Sequence, residues 1–142
     1  MPMLQKGVHA LSGRMPKVLS PTAHAIADYA TLGGFVVMGV LFWKHRRRAA
    51  VASLGCAAAE AANVLLSDHP GSIKKVINPE THAHIDFALA TAASSLPGFL
   101  KFNNQPEAKF FNMMGLSLTV VHALTDFQAP IRRPYRVEKR SA

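Results

Sequence analysis

The chain reads as an all-α protein, an integral membrane four-helix bundle made of two tandem two-helix repeats. Three observations predict this. Four apolar blocks, at residues 22–43, 49–67, 81–100 and 108–126, each approach the roughly 20 residues that a helix needs to cross a bilayer. Charged residues make up only 17% of the 142 and collect almost wholly between the blocks and at the two ends. The sequence also repeats itself: PTAHAIADY from Pro21 aligns with PETHAHIDF from Pro79, and the same offset of 58 carries Leu66-Ser67-Asp68 onto Leu124-Thr125-Asp126 without a gap. A soluble bundle would need a polar stripe on every helix, and AAVASLGCAAA from Ala49 or FALATAASSLPGFL from Phe87 has none.

Taken in order, residues 1–20 are a basic segment with no apolar core and no evident A-x-A site, expected to lie on a membrane surface or to be flexible, and not a removed signal peptide. Repeat one covers 21–78. Ser20 caps its first helix, and Pro21 loses no needed donor at the first helical position. That helix ends at Trp43, an interfacial anchor followed by the basic collar Lys44, Arg46, Arg47 and Arg48. The second helix is small on nearly all sides, from Ala49 to Ala62, which permits close helix packing and makes a homo-oligomer the second use of that surface. It stops at the breaker cluster Asp68-His69-Pro70-Gly71.

Repeat two covers 79–128, opens on Asn78-Pro79 and stops near Asp126-Phe127; residues 129–142 form a basic tail. With two spans per unit, both units share one orientation, related by an axis along the membrane normal. Ten Lys and Arg fall with the termini and central loop against six on the other side, which places both termini in the cytoplasm.

A helix opening with His-x-x-x-Asp-Tyr, a second ending in Ser/Thr-Asp and a second His-x-x-x-Asp helix resemble the small four-span bacterial membrane proteins with SPW-type repeats. The likeness runs from Ser20 to Phe127. Where that family has Ser-Pro-Trp, this chain has Ser95-Leu96-Pro97-Gly98 in the second unit and no proline in the first. The resemblance implies a multi-pass protein of a bacterial inner membrane and lends no catalytic residues.

The repeat brings His24, Asp28, His82 and Asp86 into the first turns of helices one and three, and Asp68 and Asp126 to the ends of helices two and four. All six are expected near one membrane face. Two readings compete: a hydrogen-bonded structural brace, and a metal site using His24, Asp28, Asp68, His82, Asp86 and Asp126, whose two histidines and four carboxylates match the ligand count of di-metal carboxylate bundles. His24 and His82, at equivalent depth on related helices, also suit a non-covalent haem held by two histidines, since no C-x-x-C-H is present. Glu60 lies deep in helix two, where a carboxylate is expensive, with His122 and Asn63 as candidate partners; Glu60 and His122 are therefore the candidates for a proton or cation pathway. Its repeat counterpart is Leu118.

Nothing resembles a nucleophile elbow, a phosphate loop or H-E-x-x-H, so the chain reads as more fitted to a non-enzymatic role. That role is an accessory or scaffolding subunit of a membrane assembly, with a metal- or haem-binding protein and an ion pathway as alternatives. The expected partners are the lipid bilayer and other membrane subunits. The formal net charge of +8 sits in flanks suited to phospholipid head groups, and no nucleic-acid motif accompanies it. Cys56, the single cysteine, excludes an intrachain disulfide.

Overall fold

A computed structural model describes residues 15–69 and 71–129. The expectations for the basic N-terminal segment and tail fall largely on residues 1–14 and 130–142, outside the described residues.

The chain is all-α, with four helices among the described residues. The first helix, α1 (Pro21–Phe42), opens as its sequence dictates: Ser20 Oγ accepts from the Ala23 amide at 3.2 Å, and proline takes the first helical position. A short turn leads into α2 (Arg47–Leu66). The next helix, α3 (Pro79–Phe99), repeats the opening of α1, with Asn78 Oδ1 accepting from the Thr81 amide at 2.8 Å. After α4 (Glu107–Leu124) the chain leaves in extended geometry at Thr125. Gly71 turns the breaker cluster with φ +90°, where only glycine is unstrained, and the Tyr29 hydroxyl of α1 donates to its carbonyl at 2.8 Å.

Because the links inside each unit are short, α1 packs chiefly on α2 and α3 on α4. The two hairpins then meet through α2 with α3 and through α1 with α4. The repeat reappears in the backbone hydrogen bonds that close the ring. The segment entering α3 bonds to the end of α2 through Ile77 N to Leu66 O and Asp68 N to Ile77 O, both 2.9 Å. The segment entering α1 bonds to the end of α4 in the same way, through Leu19 N to Leu124 O and Asp126 N to Leu19 O, both 3.0 Å. Every partner in one set stands 58 residues from its equivalent in the other, so the orphan carbonyls at both helix ends are satisfied alike.

The half of the bundle away from these ends is dry. Phe35, Phe102 and Phe111 are fully buried there with Leu89, Ala93 and Leu118. Gly39 and Gly115 allow the close approach of α1 to α2 and of α3 to α4. At this end Arg47 lies over the Trp43 ring at 4.4 Å and Arg46 pairs with Glu107 at 3.0 Å, which ties the two inter-helix turns together.

Of the four expected spans, α1 and α2 are long and apolar enough to cross a membrane, with mean hydropathy 1.7 and 1.6 over their most apolar stretches. α3 and α4 fall short of that. In α3 the average is lowered by His82 and Asp86, which face inward, and by His84, which is exposed.

Candidate metal centre

The buried polar residues meet between the first turns of α1 and α3. His24 and Asp28 lie one turn apart on α1, as do His82 and Asp86 on α3, so each pair shares the buried face of its helix. None of the four is more than 5% exposed. The contacts cross between repeats: His24 Nε2 lies 2.8 Å from Asp86 Oδ2, and His82 Nε2 lies 3.2 Å from Asp28 Oδ2. Within repeats the same atoms lie 3.5 Å apart for His24 and Asp28 and 3.2 Å for His82 and Asp86. One ligand atom from each residue falls within 4.8 Å of all the others. Metal–ligand bonds near 2.0 Å set neighbouring ligand atoms about 3 Å apart, close to these four separations. The group can hold a metal ion.

A second layer orients the histidines, and it comes from the returning helices. His82 Nδ1 lies 2.7 Å from Ser67 Oγ, and His24 Nδ1 lies 2.8 Å from Thr125 Oγ1. Each hydroxyl donates its one hydrogen to the carbonyl four residues back, Ser67 to Asn63 at 2.5 Å and Thr125 to Val121 at 2.6 Å. The hydroxyl oxygens are therefore acceptors toward the rings. Both imidazoles then carry hydrogen on Nδ1 and turn Nε2 to the carboxylates, the tautomer a metal ligand requires. Asn63 adds a hydrogen bond from Nδ2 to Asp86 Oδ1 at 2.6 Å.

The other sequence candidates are placed elsewhere. Asp68 is half-buried and pairs with Lys75 at 2.8 Å, and Asp126 accepts from the Gln128 amide at 3.1 Å; neither joins the converging set of four. The residue before each of them, Ser67 and Thr125, reaches the site instead. Glu60 is fully buried, but neither its oxygens nor His122 Nδ1 has a hydrogen-bond partner among the described residues. The expected pairing of Glu60 with His122 or Asn63 is absent there. Asn63 faces Asp86, and His122 packs between Phe87 and Phe127 with ring centroids 6.1 and 5.3 Å away. A haem held between His24 and His82 does not fit: the rings are edge-on with centroids 5.5 Å apart, and the Asp28 and Asp86 carboxylates occupy the plane a porphyrin would need.

A pocket of about 30 Å³, room for a water molecule, adjoins the cluster between the starts of α1 and α3. Pro21 and Pro79 line it, with His24 and His82 one turn deeper, and His69 stands across from its repeat counterpart Phe127. Both units present their helix starts to one pocket, so they share one orientation.

Fold and site together define an all-α bundle of two fused helical hairpins with a His₂Asp₂ cluster at their common axis. No family model, characterised protein or solved structure was found to match the chain.

Proposed function

We propose that the chain is a four-span bacterial membrane protein that binds one divalent transition-metal ion through His24, Asp28, His82 and Asp86. The observation that supports it is the convergence of four buried atoms, two imidazole and two carboxylate, with His24, His82 and Asp86 each held by a partner from a returning helix or its end. A mixed nitrogen and oxygen set of this kind suits zinc, manganese, iron, cobalt or nickel more than calcium or magnesium.

The membrane part of the reading is supported by an inverted distribution of polarity. His24, Asp28, His82 and Asp86 are turned into the bundle interior, whereas α1 exposes Ile26, Val36, Val37, Val40 and Leu41, and α4 exposes Met113, Leu116 and Val120. Apolar faces this extensive mark a lipid or protein surface. With α1 and α2 inserted, the tight packing of α3 and α4 on them carries all four helices into the bilayer. Likeness to the SPW-type proteins supports the same topology, and a non-enzymatic subunit that carries the ion within a larger membrane assembly is the role in keeping with it.

The test is metal content. The protein, purified in detergent and incubated with zinc or manganese, is expected to retain one ion per chain on elemental analysis after desalting. His24→Ala and His82→Ala should each abolish retention while the helical circular dichroism persists. An ion retained equally by both variants, or by none of the proteins, overturns the proposal.

A further inference from the structure

Asp86 and Asp28 occupy equivalent positions in the two repeats, yet only one is fully tied down. Asp86 uses Oδ2 toward the histidines and has Oδ1 fixed by Asn63 Nδ2 at 2.6 Å. Asp28 uses Oδ2 in the same way, but its Oδ1 has no hydrogen-bond partner among the described residues, although the residue is 1% exposed. The cause is in the sequence. The residue that stands to Asp28 as Asn63 stands to Asp86 is Val121, which carries no amide.

A buried carboxylate oxygen left without a donor keeps the full penalty of its lost hydration, so such a position calls for a donor from outside the fold. Room for one is present. Asp28 lines the pocket that enters between Pro21 and Pro79, together with His24, His82 and Ser67, whereas Asp86 and Asn63 do not. Of the two carboxylates in the cluster, the one with the unpartnered oxygen is therefore the one that lines the pocket, where Asp68, the other carboxylate of the lining, is paired with Lys75.

Resting on the metal-binding reading, we infer that the centre is open on its Asp28 side, holding an exchangeable water or small monodentate ligand on the ion, with Asp28 Oδ1 accepting its hydrogen. Asn63 closes the opposite side. Structural metal sites fill every position with protein ligands, whereas reactive or exchanging sites keep one for solvent. The asymmetry between Asn63 and Val121 separates the two halves of an otherwise symmetric cluster, and it makes the pocket an approach for a small ligand to the ion.

Cobalt(II) is the probe, because its visible absorption separates four-coordinate from higher-coordinate sites, and sodium azide is the competing ligand. In the full-length protein loaded with cobalt, azide should shift the spectrum saturably. Val121→Asn, which gives Asp28 the partner Asp86 already has, should bind cobalt and weaken the azide response at least tenfold. A wild-type cobalt spectrum that is four-coordinate and indifferent to azide overturns the open site while leaving the metal-binding reading intact. A Val121→Asn protein that responds like wild type overturns the assignment to Asp28. Failure to bind cobalt at all removes the metal-binding reading itself.

Discussion

Ser67 and Thr125, 58 residues apart, make the same pair of contacts at opposite sides of the cluster: each donates to the carbonyl four residues back and accepts from the Nδ1 of a histidine in the first turn of α3 or α1. Backbone bonds beside them repeat as well, so hydroxyl, helix end and entering segment form one unit used twice. The hydroxyls are expected to act through the rings they orient.

Ser67→Ala and Thr125→Ala should each weaken metal binding by about 10- to 100-fold, the usual effect of losing the group that orients a ligating histidine. Ser67→Thr and Thr125→Ser, which exchange the two repeats' own choices, should restore most of the affinity. Competition with a metal-sensitive dye measures both. Equal losses in the alanine and hydroxyl variants would mean that packing, not the hydrogen bond, sets the site.

Much of this site is legible in the sequence, and the part that is not has a physical reason. The offset of 58 and the His-x-x-x-Asp spacing suffice to place His24, Asp28, His82 and Asp86 on one buried axis. Both repeats also keep a hydroxyl followed by Asp at the end of the returning helix, and attention goes naturally to the charged member. Asp68 and Asp126 take part in the ring closure through their amides, which leaves their side chains at the rim, while the smaller hydroxyls point inward. That choice depends on the exit angle of the chain from α2 and α4, which periodicity does not encode. The hydropathy of α3 is ambiguous for a related reason, because His82 and Asp86 count against a span although both face the bundle interior.

Gly115 and Gly33 separate packing from conformational freedom. A Cβ at Gly115 would collide with Ser94 Oγ and stand 2.7 Å from the Ala90 carbonyl, which is backbone and cannot yield cheaply. Gly115→Ala should destabilise the bundle by about 1 to 3 kcal/mol through overpacking. Nothing lies within 4 Å of a Cβ at Gly33, so Gly33→Ala should be neutral or stabilising by up to about 1 kcal/mol. Thermal unfolding in one detergent compares them, and a Gly115→Ala protein as stable as wild type would contradict the packing of α3 on α4.

Glu60 sits where the other repeat has Leu118, and both are buried. Since its carboxylate has no hydrogen-bond partner among the described residues, Glu60→Leu should raise stability by about 1 to 3 kcal/mol without changing metal stoichiometry. Melting temperature and metal content are read on the same sample. A destabilised variant would show that Glu60 has a partner of its own, as an ion pathway requires.

The proposed four-span topology would put residues 43–46 and 100–106 on one side of the membrane and the link between α2 and α3 on the other. In a Cys56→Ala background, cysteines introduced at His45 and Asn104 should be labelled by an impermeant maleimide from one side, and a cysteine at Lys74 from the opposite side. All three sites are exposed, so protection by packing does not confuse the result. Labelling of all three from one side would leave the bundle outside the bilayer.

The tautomer of the two histidines sets the number of hydrogen ions that metal binding displaces. With Nδ1–H committed to Ser67 or Thr125, each Nε2 to Oδ2 contact across the repeats, 2.8 Å for His24 and Asp86 and 3.2 Å for His82 and Asp28, needs one further hydrogen between its atoms when no cation is present. A divalent ion supplies the same two positive charges and displaces both hydrogens, so the buried cluster keeps its net charge on loading. Metal binding should therefore release close to two protons per ion, and affinity should rise with pH by up to about a hundredfold per unit while the cluster holds both. Calorimetric titration with zinc in buffers of different ionisation enthalpy gives the number directly. His24→Ala removes one of the two contacts and should lower the release along with the affinity. Binding that releases no protons and ignores pH would place the ion somewhere other than between these four side chains.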